Sequence, residues 1–131
     1  MKTIKYLVAP SLVVVVLSGF SSTFEIAVNL AGPECPCFAL GKRSVLFSRD
    51  NVELNNFMVI ERKHGQWDYR EPMWAFRIKP GSALSVEEIR YGRTPNGFAE
   101  TTAAKPLVSG GRYQALGSGP GTIGSVDFEI K

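Results

Sequence analysis

A chain of 131 residues carrying 15 basic and 12 acidic side chains is long enough to bury one core and too short for a second domain of ordinary size. Two of the charges behind its formal +3 are Lys2 and Lys5. If a leader takes them away, the charge falls to +1 and a nucleic-acid footprint has no electrostatic basis. With one histidine, no heptad pattern and no repeat of fixed period, coiled coils and solenoids are excluded as well.

The chain opens on Lys2 and Lys5, followed by an uncharged run over residues 6–20 that includes Val13, Val14, Val15 and Val16, and then Ser21-Ser22. A positive start, an apolar stretch of roughly 7–15 residues and a small-residue exit make a secretory signal peptide. Residues 1–22 are therefore predicted to be a cleaved leader, cut after Gly19, Ser21 or Ser22. Residues 23–131 are then one exported bacterial domain, periplasmic or secreted. Leu17-Ser18-Gly19-Phe20 resembles a lipoprotein box with phenylalanine where the lipid-bearing cysteine would stand, which favours a soluble domain over a tethered one. A retained anchor would need about 20 apolar residues, and Pro10 interrupts this stretch.

Alternation of period two follows, with Phe24, Ile26, Val28 and Leu30 on one face and Glu25, Ala27 and Asn29 on the other. Further strands are predicted over 37–40, 44–48, 57–62, 66–70, 73–79, 86–91, 112–116 and 123–130. Turn signals separate them: Gly32-Pro33, Arg49-Asp50-Asn51, His64-Gly65, Pro80-Gly81, Pro95-Asn96-Gly97, Gly110-Gly111 and Gly119-Pro120-Gly121. Ser85 before Glu87 and Glu88 gives 82–90 a helix-like opening, read here as a short turn leading into a strand. Many short strands with regular turns predict an all-β fold, an antiparallel immunoglobulin-like β-sandwich or, alternatively, a small β-barrel.

Cys35-Pro36-Cys37 places two thiols side by side in an exported chain. In an oxidising compartment a local disulfide leads, with an intermolecular or mixed bridge and a metal site as alternatives. A local bridge needs a kinked loop, because Cα atoms two apart in a strand are about 6–7 Å from each other. A metal would want more soft ligands than His64, Met58 and Met73 supply. His64 sits between Lys63 and Gly65 in a predicted turn, and no nucleophile motif accompanies it. Glu87 and Glu88 point to opposite faces of a strand, so they make no shared acid–base site. The glycines from Gly117 to Gly124 read as a hairpin, since no helix follows to complete a phosphate loop. No catalytic residue, cofactor or metal is predicted. Trp67, Tyr69 and Arg70 make a candidate binding patch for a protein or glycan, whereas Trp74 and Phe76 read as core.

Leu107-x-x-Gly110-x-x-Tyr113 resembles the corner before the penultimate strand of fibronectin type III domains. Trp74-x-Phe76-x-Ile78 before Pro80, and then Ile89-Arg90-Tyr91, resemble that family's second and third strands. The resemblance covers roughly residues 73–130. It implies a leucine that plugs the core, a glycine that permits the turn, and a tyrosine hydroxyl bonded back to the corner backbone. Ser109-Gly110-x-x-Tyr113 is also similar to the serine-glycine loop of bacterial periplasmic inhibitors of c-type lysozymes, which would make Ser109 and Tyr113 inhibitory contacts. That family's second motif, a basic residue shortly before a glycine in the next strand, is absent between Leu116 and Ile130. The function expected is that of a non-enzymatic binding module of the cell envelope, with inhibition of a cell-wall hydrolase as the alternative.

Overall fold

The computed structural model describes residues 22–41 and 51–131. The predicted leader up to Ser21, the strand expected over 44–48 and most of the turn at Arg49-Asp50-Asn51 lie outside the described residues. Within them the chain is all β: β1 (Ser22–Thr23), β2 (Glu25–Asn29), β3 (Cys37–Gly41), β4 (Val52–Leu54), β5 (Asn56–Lys63), β6 (Gln66–Asp68), β7 (Trp74–Arg77), β8 (Leu84–Val86), β9 (Glu88–Arg90), β10 (Ala99–Thr102), β11 (Arg112–Gly119) and β12 (Thr122–Glu129). No helix among the described residues is long and apolar enough to cross a membrane.

A large sheet runs in the order β1-β12-β11-β5-β7-β10, with β6 paired to the far end of β5. The opposing layer consists of β2-β3-β9 and the pair β4-β8. The large sheet ends at β1 and β10 instead of closing, so the fold is a β-sandwich and the barrel alternative is set aside. One pairing departs from the antiparallel expectation: β1 runs parallel to β12, with Ser22 opposite Thr122 and Thr23 opposite Ile123. Ser22, the last residue of the predicted leader, thus lies in a strand, and its hydroxyl is 3.3 Å from that of Thr122.

Alternation in the sequence decides which side chains meet between the layers. Phe57 and Val59 of β5, Trp74 and Phe76 of β7, and Tyr113 and Ala115 of β11 face inward from the large sheet. Ile26, Phe38, Leu40, Val52, Leu54, Val86 and Ile89 meet them from the opposite layer. Phe38 joins the layers through rings 5.5 Å from both Phe57 and Phe128. From Phe57 the aromatic contacts run on to Trp74, and from Trp74 to Tyr91 at 5.3 Å. Complete burial of Trp74 stabilises the fold by several kcal/mol, since truncating such a ring in a core costs about 3–5 kcal/mol.

Three strands differ from the expected ones for local reasons. The run over 86–91 divides at Glu87, where β8 leaves β4 and β9 joins β3; the Glu87 carbonyl accepts the Leu40 N–H at 2.8 Å across the break. Ser85 pairs with Glu53 in a strand and caps nothing. The strand over 66–70 stops at Asp68, whose carboxylate accepts the N–H groups of Arg70 at 3.0 Å and Glu71 at 3.3 Å and bends the chain into an Asx turn.

The glycines of the β11–β12 hairpin are spacers. Gly117 and Gly124 stand opposite each other above Phe24, and a Cβ on Gly124 would come within 2.5 Å of the Phe24 ring. At the other end of β11, Gly110 takes φ +81° and begins the corner, Leu107 packs on the core, and the hydroxyl of fully buried Tyr113 accepts the Val108 N–H at 3.0 Å. A Cβ on Gly111 would lie 2.5 Å from that hydroxyl. The doubled glycine therefore has two separate causes, one a backbone conformation and the other a side-chain approach.

Candidate functional site

The β5–β6 hairpin positions the first candidate surface. His64 at φ 52° and Gly65 at φ 78° form its two-residue turn, the combination of positive φ angles that matches strand twist. Register then sets Arg62 opposite Trp67. The Arg62 guanidinium lies 5.3 Å from the centroid of the half-buried indole, within cation–π range. Lys63 reaches the Asp68 carboxylate at 3.5 Å. The Glu71 N–H holds the Asp68 pKa below its ordinary value, aided by the Arg70 N–H and by Lys63 against the opposing effect of burial.

Beside the hairpin the ends of β11 and β12 complete a groove of about 310 Å³, whose walls include Arg62, Trp67, Arg112, Asp127 and Glu129. Arg112 and Glu129 are cross-strand partners with an Nε to Oε1 distance of 3.8 Å. The Gln114 amide donates to Asp127 at 2.8 Å, while its own Oε1 is buried without a hydrogen-bond partner among the described residues. Continuing the β5–β11 register brings Arg112 and Arg62 to neighbouring strand positions, with Arg62 over the indole and Arg112 beside the Glu129 carboxylate. An aromatic platform flanked by donors and acceptors in fixed positions can stack a flat polar ring or hold a peptide strand at its edge.

Trp67 belongs to this groove, and the other two members of the sequence-derived patch do not. The Asx turn at Asp68 carries Tyr69, 56% exposed, and exposed Arg70 away from the strand, so they flank the site without lining it. Arg112, Asp127 and Glu129 were missed because they lie more than 40 residues from Trp67 in sequence. The available signal was their outward position in two strands that were themselves predicted. Trp74 and Phe76 are core.

Ser109 and Tyr113 do not form one exposed surface. Ser109 is exposed with its hydroxyl directed to the Lys131 carbonyl at 3.2 Å, whereas Tyr113 is fully buried and its hydroxyl is engaged by Val108. A tyrosine committed to the corner is not presented to a partner's cleft. His64 is exposed in its turn, and no group of three or more His, Cys, Asp or Glu side chains is poised for a metal among the described residues.

The second surface surrounds Cys35 and Cys37, which are joined in a disulfide with Cα atoms 4.5 Å apart. Backbone bonds from Cys35 N–H to the Gly32 carbonyl and from Tyr91 N–H to the Pro36 carbonyl hold the loop. Arg90 donates to the Glu34 carboxylate at 2.6 Å, and Arg93 approaches the same oxygen at 3.7 Å. So short a loop gains only about 1.6 kcal/mol from cross-linking in the chain-entropy account, against about 4.7 kcal/mol for a loop of about 100 residues. Next to the disulfide is a cavity of about 440 Å³ with mainly apolar walls, Leu30, Cys35, Pro36, Pro106, Leu107 and Ile130 among them.

Comparisons of this chain with known proteins bear on neither surface. No family model, curated protein or solved structure matches it. The functional reading therefore rests on the site itself.

Proposed function

We propose that this protein is an exported, non-enzymatic binding module of the bacterial cell envelope, periplasmic or secreted, that holds a protein or glycan partner in the groove at Arg62 and Trp67. The leader pattern of residues 1–22 supports export. The observation that carries the binding role is the Arg62 guanidinium stacked 5.3 Å from the Trp67 centroid, in a groove that also offers Arg112, Asp127 and Glu129. Trp and Arg are the residue types over-represented among binding hot spots, because each combines a large flat surface with directed polar groups.

Immobilised mature domain should retain specific envelope components, proteins or peptidoglycan fragments, and Trp67→Ala should lose them. A hot-spot truncation of about 2 kcal/mol or more corresponds to roughly 30-fold weaker binding. Equal retention by wild type and Trp67→Ala, with both folded, would remove the groove from consideration.

A further inference from the structure

We infer that the Cys35–Cys37 disulfide is an acceptor for a partner thiol, capturing a cysteine flanked by apolar residues as a mixed disulfide at Cys35. This site is separate from the Arg62–Trp67 groove and does not depend on it.

Three observations combine. Closing a loop of three residues contributes little to stability, so the bond is not accounted for as a staple. The two sulfurs are unequally placed: Cys35 is half-buried and lines the 440 Å³ cavity, while Cys37 is only 8% exposed. The loop is held independently of the bridge, by the Pro36 carbonyl on Tyr91 N–H, by Glu34 on Arg90 and Arg93, and by the pairing of β3. Opening the bond therefore leaves the fold and the cavity in place.

The exchange balances without an added oxidant. A partner thiolate attacks Cys35 Sγ, forming a new sulfur–sulfur bond as the Cys35–Cys37 bond breaks. The electron pair leaves on Cys37 Sγ, which takes a proton from water. One thiol is consumed and one is produced. The released Cys37 thiol has an acceptor in the Glu34 carbonyl, 3.8 Å away. Access selects the sulfur attacked, because an incoming thiolate reaches Cys35 through the cavity, which Cys37, 8% exposed, does not line. Leu30, Pro36, Pro106, Leu107 and Ile130 supply an apolar wall against which residues on either side of the attacking cysteine can lie.

The test uses the oxidised protein and two probes, reduced glutathione and the peptide N-acetyl-Leu-Cys-Leu-amide, with acid quenching and mass mapping. The peptide should form a one-to-one adduct on Cys35, leaving Cys37 as the free thiol, and should react at least tenfold faster than glutathione. Leu30→Asp, at a side chain 39% exposed in a loop, should remove most of that preference. Because Cys37 can re-close on the adduct, the single-cysteine variants Cys37→Ser and Cys35→Ser are also reacted with the symmetric disulfide of the peptide. Cys37→Ser should react at least tenfold faster. Attachment at Cys37, equal rates for the two probes, equal rates for the two variants, or reduction with no trapped adduct would each overturn the inference.

Discussion

The backbone N–H of Val108 donates to the hydroxyl of Tyr113 across 3.0 Å, tying the chain entering β11 to a side chain that the core encloses completely. Tyr113→Phe keeps the ring and removes the acceptor, so it should cost about 1 kcal/mol and lower the Tm by several degrees. Gly111→Ala should cost more, since its methyl would lie 2.5 Å from the same hydroxyl. Thermal unfolding of both variants checks the order. A Tyr113→Phe protein as stable as wild type would mean the corner bond contributes nothing net.

Much of this corner was legible in the sequence, because its parts lie within seven residues and each is a residue type with a narrow conformational use. The sandwich was legible through alternation in β2 (Ile26, Val28), in the first half of β11 (Tyr113, Ala115) and in the second half of β12 (Val126, Phe128), and in β5 through the unbroken apolar run Phe57-Met58-Val59-Ile60. Edge strand β10, Ala-Glu-Thr-Thr, was not, as it buries little and shows no apolar period. Strand β4 contains only three residues, too few for a pattern. The groove was half legible: Trp67 stood out by type, but its distant neighbours needed the register of β5 on β11, which depends on tertiary pairing.

Gly124→Ala places a methyl 2.5 Å from the Phe24 ring and 2.7 Å from the Phe24 carbonyl oxygen. The backbone oxygen cannot rotate away as a side chain could, so destabilisation of about 1–3 kcal/mol is expected from overpacking. Phe24→Leu in the same chain should recover only the part due to the ring. Chemical denaturation of the single and double variants separates the two contributions.

Burial pushes the Tyr91 pKa up to about 12, and its hydroxyl donates to the Lys105 carbonyl at 2.7 Å. A phenol whose folded pKa is raised contributes stability that is fully present below its unfolded pKa near 10 and is lost as pH rises toward 12. The unfolding midpoint should therefore fall between pH 10 and 12, and fall less steeply in Tyr91→Phe. Identical slopes in the two proteins would show that Tyr91 is not the group responsible.

Ser22 sits in β1, paired with Thr122, so for the leader we propose, a cut after Gly19 or Ser21 would preserve the parallel edge strand and a cut after Ser22 would shorten it. The mature protein is expected to begin at Phe20 or Ser22. N-terminal sequencing of the exported chain reads this directly, and a mature protein beginning at Thr23 would contradict it.

Affinity of the mature domain for its envelope partner, measured for wild type and Trp67→Ala with Tyr69→Ala as a neighbour outside the groove, is the most direct measure of the proposed role. Trp67→Ala should bind roughly 30-fold more weakly with its Tm almost unchanged, and Tyr69→Ala should lose far less. Undiminished binding by a folded Trp67→Ala protein would contradict the assignment of the Arg62–Trp67 groove as the binding site.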